Sequence, residues 1–495
     1  MVFKASSPAA PMSRVLALAV SLRQFHPVTT SMERPTSPKQ RPRGPAVDAR
    51  HPESWYRYYA GYSPEFVTDV ISYLSKHGHV GGDAILADPW NGAGTTTQVA
   101  EDVGVRSWGG DVNPAMVVVA KARLLGGHAR PSELAICDNL ISSAKRTWRS
   151  HEVDGDPLCT WFTPRGGAAI RAIEHEIASL LDPFAKGSSP LQAGTRVSTM
   201  SPLAAFFYLG LFRTTRALVA PFATSNPTWI RRPASVHERR RPSIDTVAKR
   251  FRDEILLMTG SRTTVCKDSA VDQERWYART DAGFDQASDR AVQGAKQLAT
   301  IELASSTALP LDDASVNAVL SSPPYCTRID YAVATAPELA TLGLNEIAFR
   351  ALRDRMIGTS TIVGDGLAID SSWGKTCKRF LGKVKRHPSK ASDSYYLKNH
   401  KQYFAGLAHS LVEIGRILKR DAPCVLVVQD SYYKELHNDL PTIVGEMGGE
   451  LGWRLRERHD YTPSQIMASV HKTATRYRSR ATATESVLVF ERGVR

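Results

Sequence analysis

The chain has 495 residues, of which 42% are apolar and 23% charged, a composition ordinary for a globular protein and unlike that of a disordered one. No apolar run approaches the ~20 residues needed to span a bilayer. Its six cysteines form no CxxC pair, which argues against a disulfide scaffold and a structural zinc site and favours a reducing compartment. Sixty-three Lys and Arg against 49 Asp and Glu give a net charge of +14, which indicates a polyanionic partner.

The positive charge is concentrated in three segments. Residues 1–47 carry seven basic side chains and one acidic one, residues 225–252 carry eight and two, and residues 371–402 carry nine and one. Each segment is explained equally well as a solvated surface and as a nucleic-acid contact. The first is also rich in Pro and Ser and lacks periodicity, which predicts disorder. It suits either a transit peptide or a chain whose true start is Met12 or Met32.

From Trp55 the pattern becomes globular. Ser63 and Pro64 are typical of the cap and first turn of a helix, and apolar residues at helical spacing continue it to residue 76. The elements that follow are a buried strand at 83–87, a glycine-containing turn at 88–97, a helix from about Thr96, a strand at 107–111 and a helix at 115–125. This order predicts the first half of a doubly wound α/β sheet.

The same alternation resumes near residue 301. It gives a strand at 316–320, a helix at 404–418, a strand at 424–428 and a final hairpin strand at 486–490. We therefore predict an α/β fold with helices on both faces of the sheet. The predicted domains are a disordered segment at 1–47, a catalytic domain formed by 48–130 plus 295–495, and a mostly helical insertion at 131–294 that is a candidate for target recognition.

The turn after the first strand has features of a cofactor site. Gly92 and Gly94 let the backbone approach a ligand closely, and the following helix offers free N–H groups and a positive dipole. Asp88 is placed to bind a polar or cationic group. Asp111, which ends the second strand, stands where an acid binds a ribose diol, although a helix cap would use the same residue.

A second motif, Ser322-Pro323-Pro324-Tyr325, ends a later strand. Two consecutive prolines fix φ and remove two N–H donors, so the neighbouring carbonyls stay free to accept hydrogen bonds beside an aromatic ring. Rigid acceptors next to an aromatic platform suit a planar base with an exocyclic amino group. The position at the carboxyl end of a strand favours this interpretation over a surface Pro-Pro turn.

Together these motifs resemble those of the S-adenosylmethionine-dependent amino-methyltransferases of DNA, most closely the cytosine-N4-specific branch. Residues 88–96 (Asp-Pro-Trp-Asn-Gly-Ala-Gly-Thr-Thr) are similar to that family's cofactor motif, and residues 322–325 to its catalytic motif in the Ser-Pro-Pro-Tyr form. Residues 58–66 are similar to its N-terminal cofactor segment. The resemblance covers 55–130 and 295–495. Among its departures, Ser305 and Asn317 stand where the family commonly has acids, and Trp90 stands where Phe is usual.

The resemblance implies a Rossmann-like methyltransferase fold that transfers a methyl group from S-adenosylmethionine to the N4 amino group of cytosine. The target base would be flipped out of double-stranded DNA, because its amino group is not accessible in the stack. Ser322 and the Pro323 carbonyl would hold the amino group while Tyr325 stacks on the base. The implied catalytic residues are Ser322, Pro323, Pro324 and Tyr325. The implied cofactor-binding residues are Tyr59, Asp88, Trp90, Asn91, Gly92, Gly94, Thr95, Thr96 and Asp111.

The implied partner is DNA, with phosphate contacts from the second and third basic segments. The candidate contacts are Trp229, Arg231, Arg232, Arg239, Arg240, Arg241, Lys378, Arg379, Lys383, Lys385 and Arg386. We expect no metal ion, no membrane association and a cytoplasmic location. A restriction-modification role suits the family, but the sequence identifies no endonuclease partner, recognition sequence or oligomeric state.

Two alternatives remain open. The same carbonyls would hold the amino group of adenine in DNA, or of a base in structured RNA. A methyltransferase fold that binds nucleic acid without turnover is the second alternative, which the missing acid near Ser305 supports and the intact motifs oppose.

Cys424, which follows Pro423 as in a Pro-Cys nucleophile motif, is expected to be an inert residue of a buried strand. Four residues follow the catalytic motif closely and would position the substrate backbone if exposed near a pocket, although intramolecular ion pairing is the favoured interpretation: Arg328, Asp330, Tyr331 and Glu338.

Overall fold

The structure, a computed structural model, covers most of the chain. It describes residues 31–38, 52–56, 61–125, 132–151, 153–181, 196–224, 229–277, 297–327, 329–363, 367–462 and 483–493. The chain divides into two units, Met1–Glu33 and Arg34–Arg495, and all the described helices and strands belong to the second. Most of the predicted disordered segment lies outside the described residues. Within it, Thr36 donates through its backbone and hydroxyl to Asp69, at 2.8 and 2.6 Å.

A seven-stranded sheet forms the centre of the described part of the chain. Its strands are β1 Leu86–Asp88, β2 Ser107–Asp111, β3 Ala299–Leu303, β4 Ala318–Ser321, β5 Pro423–Gln429, β8 Trp453–Tyr461 and β9 Glu485–Arg492. A separate hairpin is formed by β6 Ser431–Tyr433 and β7 Leu436–Asn438. The strand order in the sheet is β3-β2-β1-β4-β5-β9-β8. Strands β1 to β5 are parallel, and β9 runs antiparallel to both β5 and β8.

The helices begin where the sequence supplies caps. The Ser63 hydroxyl accepts from Phe66 N–H (3.2 Å), and the Asn113 side chain accepts from Ala115 N–H (3.0 Å), each just before a proline at the first helical position. The helices are α1 Pro64–Lys76, α2 Thr95–Asp102, α3 Pro114–Arg123, α4 Ser132–Thr147, α5 Pro164–Leu181, α6 Arg196–Thr199, α7 Pro202–Leu218, α8 Ile244–Tyr277, α9 Tyr331–Ala334, α10 Ala336–Thr341, α11 Glu346–Arg355, α12 Gly374–Arg386, α13 Leu397–Ile417 and α14 Leu440–Glu450. Among them, none is long and apolar enough to cross a membrane.

The strand order confirms the predicted α/β fold class. From β1 the chain proceeds outward through β2 and β3, and then returns to place β4 and β5 on the other side of β1. The order therefore reverses between β1 and β4, and open α/β sheets bind ligands in the crevice outside the carboxyl ends at such a switch point. The parallel core with antiparallel β9 and β8 at one edge is consistent with a Rossmann-like methyltransferase sheet.

Helices cover both faces of the sheet. On one face, α3 shares a buried core with the helices of the predicted insertion and with α10 and α11. On the other, α12, α13 and α14 pack against β4, β5 and β9. Arg171 of α5 links the insertion to α10, because it donates to the Thr341 carbonyl (2.9 Å) as well as to Asp156 and Glu174 (3.0 and 3.1 Å). The helices of the predicted insertion therefore pack directly against the helices that cover the sheet.

Candidate active site

A pocket opens at the carboxyl ends of β1 and β4, the switch point of the sheet. Its empty space measures about 1380 Å³ including the open mouth, and apolar side chains form much of its wall. The glycine turn, Asp111 and the whole Ser322–Tyr325 motif line it together. The predicted cofactor residues Trp90, Asn91, Gly92 and Thr95 also face this space. Tyr59 lies outside the described residues.

Asp88 is the buried centre of the site. Its Oδ1 accepts from Trp90 N–H (3.1 Å) and from the Ser321 hydroxyl, and its Oδ2 accepts from the Tyr62 hydroxyl (2.9 Å) and from Thr96. Burial raises the pKa of Asp88, while the hydrogen bonds from Ser321, Thr96, Tyr62 and Trp90 oppose that rise. The carboxylate thereby connects the end of β1 to the end of β4.

Asp111 fixes the glycine turn from the neighbouring strand. Its two carboxylate oxygens accept from Gly92 N–H (3.0 Å) and Asn113 N–H (2.7 Å). Burial raises the pKa of Asp111 to about 6, a rise that these two backbone hydrogen bonds limit and the nearby Asp88 charge increases. Each oxygen accepts one of these bonds and keeps a lone pair for a further donor.

The turn itself requires glycine at position 94. Gly94 caps α2 with φ +82°, a left-handed conformation that side chains disfavour. A Cβ there would lie 2.6 Å from Ala120 Cβ, inside van der Waals contact with α3. The glycine spacing noted in the sequence therefore serves two purposes, the reversal of the chain and the close packing of α2 on α3.

Hydrogen bonds within the protein hold part of the Ser-Pro-Pro-Tyr loop, including one carbonyl that the motif was expected to leave free. The Ser322 hydroxyl donates to the Val427 carbonyl (2.9 Å), and the Pro324 carbonyl accepts from the Tyr403 hydroxyl (2.8 Å). The Pro323 carbonyl receives no hydrogen bond from any residue that the structure describes. Pro323 itself lines the pocket.

Tyr325 is held by a residue that the sequence analysis missed. Its hydroxyl donates to Glu485 Oε1 at 2.7 Å, and Glu485 is 5% exposed at the start of β9. Burial and then the Glu485 charge raise the pKa of Tyr325 well above its ordinary value. Nothing local in the sequence connects these two residues, because Glu485 reaches Tyr325 through the pairing of β9 with β5.

Tyr62 and Arg216 are further pocket residues absent from the prediction. Tyr62 lies within the segment 58–66 that resembles the N-terminal cofactor segment, so that resemblance could have predicted its place in the site. Arg216 comes from α7 of the predicted insertion, and its guanidinium binds both oxygens of Glu338 (2.5 and 2.6 Å). No sequence signal points to that residue.

Ser305 and Asn317, which stand where the resembled family commonly has acids, lie at opposite ends of the sheet. Ser305 lines the pocket just after β3, where its hydroxyl bonds with Thr307 (2.8 Å). Asn317 lies at the opposite end of the sheet, where its side-chain oxygen accepts from Ile85 N–H (3.1 Å) and Lys419 (3.0 Å). Asn317 is thus a structural residue, whereas Ser305 belongs to the site.

The expected ion pairs after the catalytic motif are present. Asp330 pairs with Arg353 (2.7 Å), and Glu338 pairs with Arg216. Arg328 lies outside the described residues.

Cys424 is fully buried in β5 and burial raises the pKa of its thiol, as expected of an inert residue. Among the described side chains, no cluster of three or more His, Cys, Asp or Glu is arranged to bind a metal.

The two predicted phosphate-binding segments differ in how far carboxylates neutralise them. Arg231 pairs with Glu238 (2.8 Å) and Arg232 with Glu346 (3.0 Å). In contrast, the candidates on α12 are exposed and form no ion pair with any described residue: Lys378, Arg379, Lys383, Lys385 and Arg386. Trp229, Arg240 and Arg241 are also exposed, and Arg239 is partly buried. DNA contact by either segment stays a prediction.

Comparison with known proteins gives similarity to type II methyltransferases. The chain is 25% identical over 150 residues to type II methyltransferase M.AvaI of Nostoc sp. and of Anabaena variabilis, a match that covers 28% of this chain and 31% of each relative. It is 24% identical over 308 residues to type II methyltransferase M.BsoBI of Geobacillus stearothermophilus, which covers 61% of this chain and 55% of the relative. The matched part is therefore between about a third and about half of these relatives. No family model and no solved structure matches the chain.

Proposed function

We propose that this chain is an S-adenosylmethionine-dependent DNA methyltransferase that modifies the N4 amino group of cytosine. The main observation behind the proposal is that the glycine turn and the Ser-Pro-Pro-Tyr loop lie next to each other at the switch point of the sheet. Ser321 hydrogen-bonds Asp88, and the Ser322–Tyr325 loop lines the same pocket as the glycine turn. A direct transfer needs two molecules held together in one site, and a shared pocket supplies that proximity. The similarity to type II methyltransferases supports DNA methylation in general, and the choice of the N4 amino group of cytosine rests on the Ser-Pro-Pro-Tyr motif.

The groups in the cofactor half of the pocket suit S-adenosylmethionine. Asp111 offers a free lone pair on each oxygen to a ribose diol, and the Asp88 carboxylate favours a positively charged ligand. Trp90, Val112 and Met116 supply apolar walls for a planar base. When bound, S-adenosylmethionine supplies an electrophilic methyl group. The chain's own contribution is to bind, orient and exclude water.

The catalytic loop is suited to an exocyclic amino group. The Pro323 carbonyl is a free acceptor, and the Ser322 oxygen can accept a second N–H while its own proton bonds to Val427. Two such hydrogen bonds hold the amino group in place and localise the nitrogen lone pair that is otherwise delocalised into the ring. Tyr325, fixed by Glu485, supplies the stacking surface. Orientation and preorganised hydrogen bonds therefore perform most of the catalysis.

The substrate reaches this pocket as a base flipped from duplex DNA, since the loop is recessed and the amino group is inaccessible in the stack. The basic segments at 229–241 and on α12 bind phosphates and set the affinity and its salt dependence. We assign target recognition to the helical insertion at 131–294, because α7 extends into the pocket wall through Arg216.

Nucleoside mass spectrometry tests the proposal directly. DNA and RNA are isolated from a methylation-free host that expresses the chain, beside a Tyr325→Ala variant at matched protein level. N4-methylcytosine in DNA, absent with the variant, is the expected result. N6-methyladenine or a methylated RNA base would move the proposal to another substrate. Cofactor binding by calorimetry without any methylated base would favour a non-catalytic nucleic-acid-binding protein.

A further inference from the structure

The mouth of the pocket carries a guanidinium that no described carboxylate neutralises. Arg355, the last residue of α11, is exposed and lines the pocket, and it forms no ion pair with any residue in the described ranges. The other arginines of this helix differ. Arg350 pairs with Glu346 (3.3 Å) and Arg353 with Asp330 (2.7 Å). The unpaired arginine is thus the one that faces the pocket.

The second basic side chain of the described pocket wall is already neutralised. Arg216 binds Glu338, which is fully buried, and also donates to the Ala334 carbonyl (2.7 Å). Its charge is therefore balanced within the protein, where its Nε and Nη2 groups donate. An anion that enters the pocket would find free guanidinium donors at Arg355.

Arg355 is also placed next to the catalytic loop. Met356 and Ile357, which follow it, line the pocket. A Cβ on Gly358 would lie 3.5 Å from the Tyr325 carbonyl oxygen and 3.7 Å from Pro324 Cβ, so this segment packs against the loop. The segment is tied down beyond that point, because the Asn399 side chain donates to the Thr359 carbonyl (2.8 Å).

We propose that Arg355 binds the phosphate of the nucleotide whose base enters the pocket. The inference rests on the proposed function, since it takes the substrate to be a nucleic acid. A flipped nucleotide brings its phosphate to the pocket mouth. There the Asp88 and Asp111 carboxylates would repel it, and a guanidinium, which binds phosphate oxygens in bidentate geometry, offsets that repulsion. Arg355 is then a positioning residue for the substrate.

The test compares Arg355→Gln with Arg350→Gln, a matched loss of one exposed positive charge on the same helix. The measurements are anisotropy of a labelled DNA duplex across a salt series, steady-state methylation of plasmid DNA, and calorimetric titration of S-adenosylmethionine. For Arg355→Gln we expect KM for DNA to rise about tenfold, as for loss of a charge-assisted hydrogen bond. The slope of log K against log salt should fall by about 0.9, the value for one phosphate. Cofactor affinity should not change.

Two results would overturn the inference. Equal effects of the two variants would show that Arg355 contributes only general charge. A loss of cofactor affinity with unchanged DNA binding would show that its partner is the cofactor carboxylate. Failure of the proposed function is distinguishable from both, since it would appear as wild-type protein that methylates no DNA.

Discussion

At the scale of single residues, the orientation of Tyr325 depends on a carboxylate from the far end of the chain. The Tyr325 hydroxyl donates to Glu485, which is 160 residues away in sequence and is held in β9 opposite Gln429 and Tyr461. Because burial and the Glu485 charge raise the pKa of Tyr325, the phenol stays a protonated donor at physiological pH. The ring is thereby fixed where the proposed base would stack.

We expect Glu485→Ala to lower kcat for DNA methylation by about 10- to 100-fold, because a stacking platform that is free to turn loses the orientation on which transfer depends. Glu485→Gln should retain most activity, since its amide oxygen still accepts the Tyr325 proton. The effects of Tyr325→Phe and Glu485→Ala should not add in the double variant, because both remove one interaction.

Glu491→Gln is the control, because Glu491 lies on the same strand but pairs with Arg454 at the surface (3.2 Å). Steady-state kinetics with saturating cofactor would measure the effect. Additive losses in the double variant would contradict the prediction.

Asp111 gives the site a dependence on pH. The proposed ribose contact needs the ionised carboxylate, and burial raises its pKa to about 6. Cofactor affinity should therefore fall as pH drops through 6, approaching tenfold per unit below it. Calorimetric titrations between pH 5 and 8 would measure this fall. Asp111→Asn should bind weakly and lose most of the pH dependence, keeping only the part due to Asp88, whose pKa is also raised.

The stability of the protein without cofactor depends on pH in the opposite direction to the cofactor affinity. An acid with a pKa raised from 3.8 to about 6 holds its proton more tightly in the folded state. Its contribution to stability is fully present at low pH and is lost as pH rises from 3.8 to 6. Thermal unfolding of free and cofactor-bound protein would separate the two effects. A cofactor affinity that is constant across this range would contradict the assignment.

The sequence predicts those site residues whose geometry is set by their neighbours in the chain, and it misses those that tertiary packing brings to the site. Asp88, Gly94 and the Ser322–Tyr325 loop sit in short motifs whose spacing sets their geometry, and the structure places all of them around one pocket or in its supporting turn. Glu485 and Arg216 reach the site through strand pairing and helix packing. Neither has a neighbouring residue that signals its role, so the folded structure was needed to find them.

At the scale of secondary structure elements, the glycine turn is the most constrained. Gly94 combines a left-handed φ of +82° with direct packing on Ala120. Gly104, at the end of the same helix, has a similar φ of +76° but nothing within 4 Å of the place where its Cβ would lie. Substitution of Gly104 therefore tests backbone strain alone, whereas substitution of Gly94 tests backbone strain together with steric overlap.

We expect Gly104→Ala to reduce the free energy of unfolding by about 1–2 kcal/mol, the cost of a left-handed conformation for a residue with a side chain. Gly94→Ala should cost more, because α2 must also move away from α3. It should also weaken cofactor binding, since the displaced turn includes Gly92 N–H, which bonds to Asp111. Chemical denaturation and cofactor titration of both variants would check this. Equal destabilisation would contradict the packing argument.

Element boundaries show where sequence patterns lose precision. Strand β2 was predicted at its observed bounds, whereas β1 begins at Leu86, three residues later than expected, and α13 begins at Leu397, seven residues earlier. The first turns of α13 carry buried polar residues, Asn399 and His400, so its hydrophobic periodicity becomes visible only later. Helix α12 was noted for its charge alone, because exposed Lys and Arg obscure its buried stripe of Cys377, Phe380, Leu381 and Val384.

At the scale of the whole molecule, α12 places its positive charge at the edge of the sheet where the pocket opens. His387, which follows the helix, bonds with Glu435 (2.8 Å) in the turn between β6 and β7, and that hairpin begins just after the carboxyl end of β5. The carboxyl ends of parallel strands share one edge of the sheet. The basic end of α12 and the pocket are therefore on the same side of the sheet.

This placement predicts that α12, rather than net charge, determines affinity for DNA. We expect a triple Gln variant of Lys383, Lys385 and Arg386 to lower the slope of log K against log salt by about 2–3, if each side chain contacts one phosphate. A triple Gln variant of Arg454, Arg456 and Arg458 on β8 is the matched control. It removes the same charge from residues that already pair with Glu491 or Asp460, so its slope should change little. Anisotropy of a labelled duplex across a salt series measures both. If the two variants lost the same affinity, the total charge of the protein would be the determinant and α12 would not be a DNA contact.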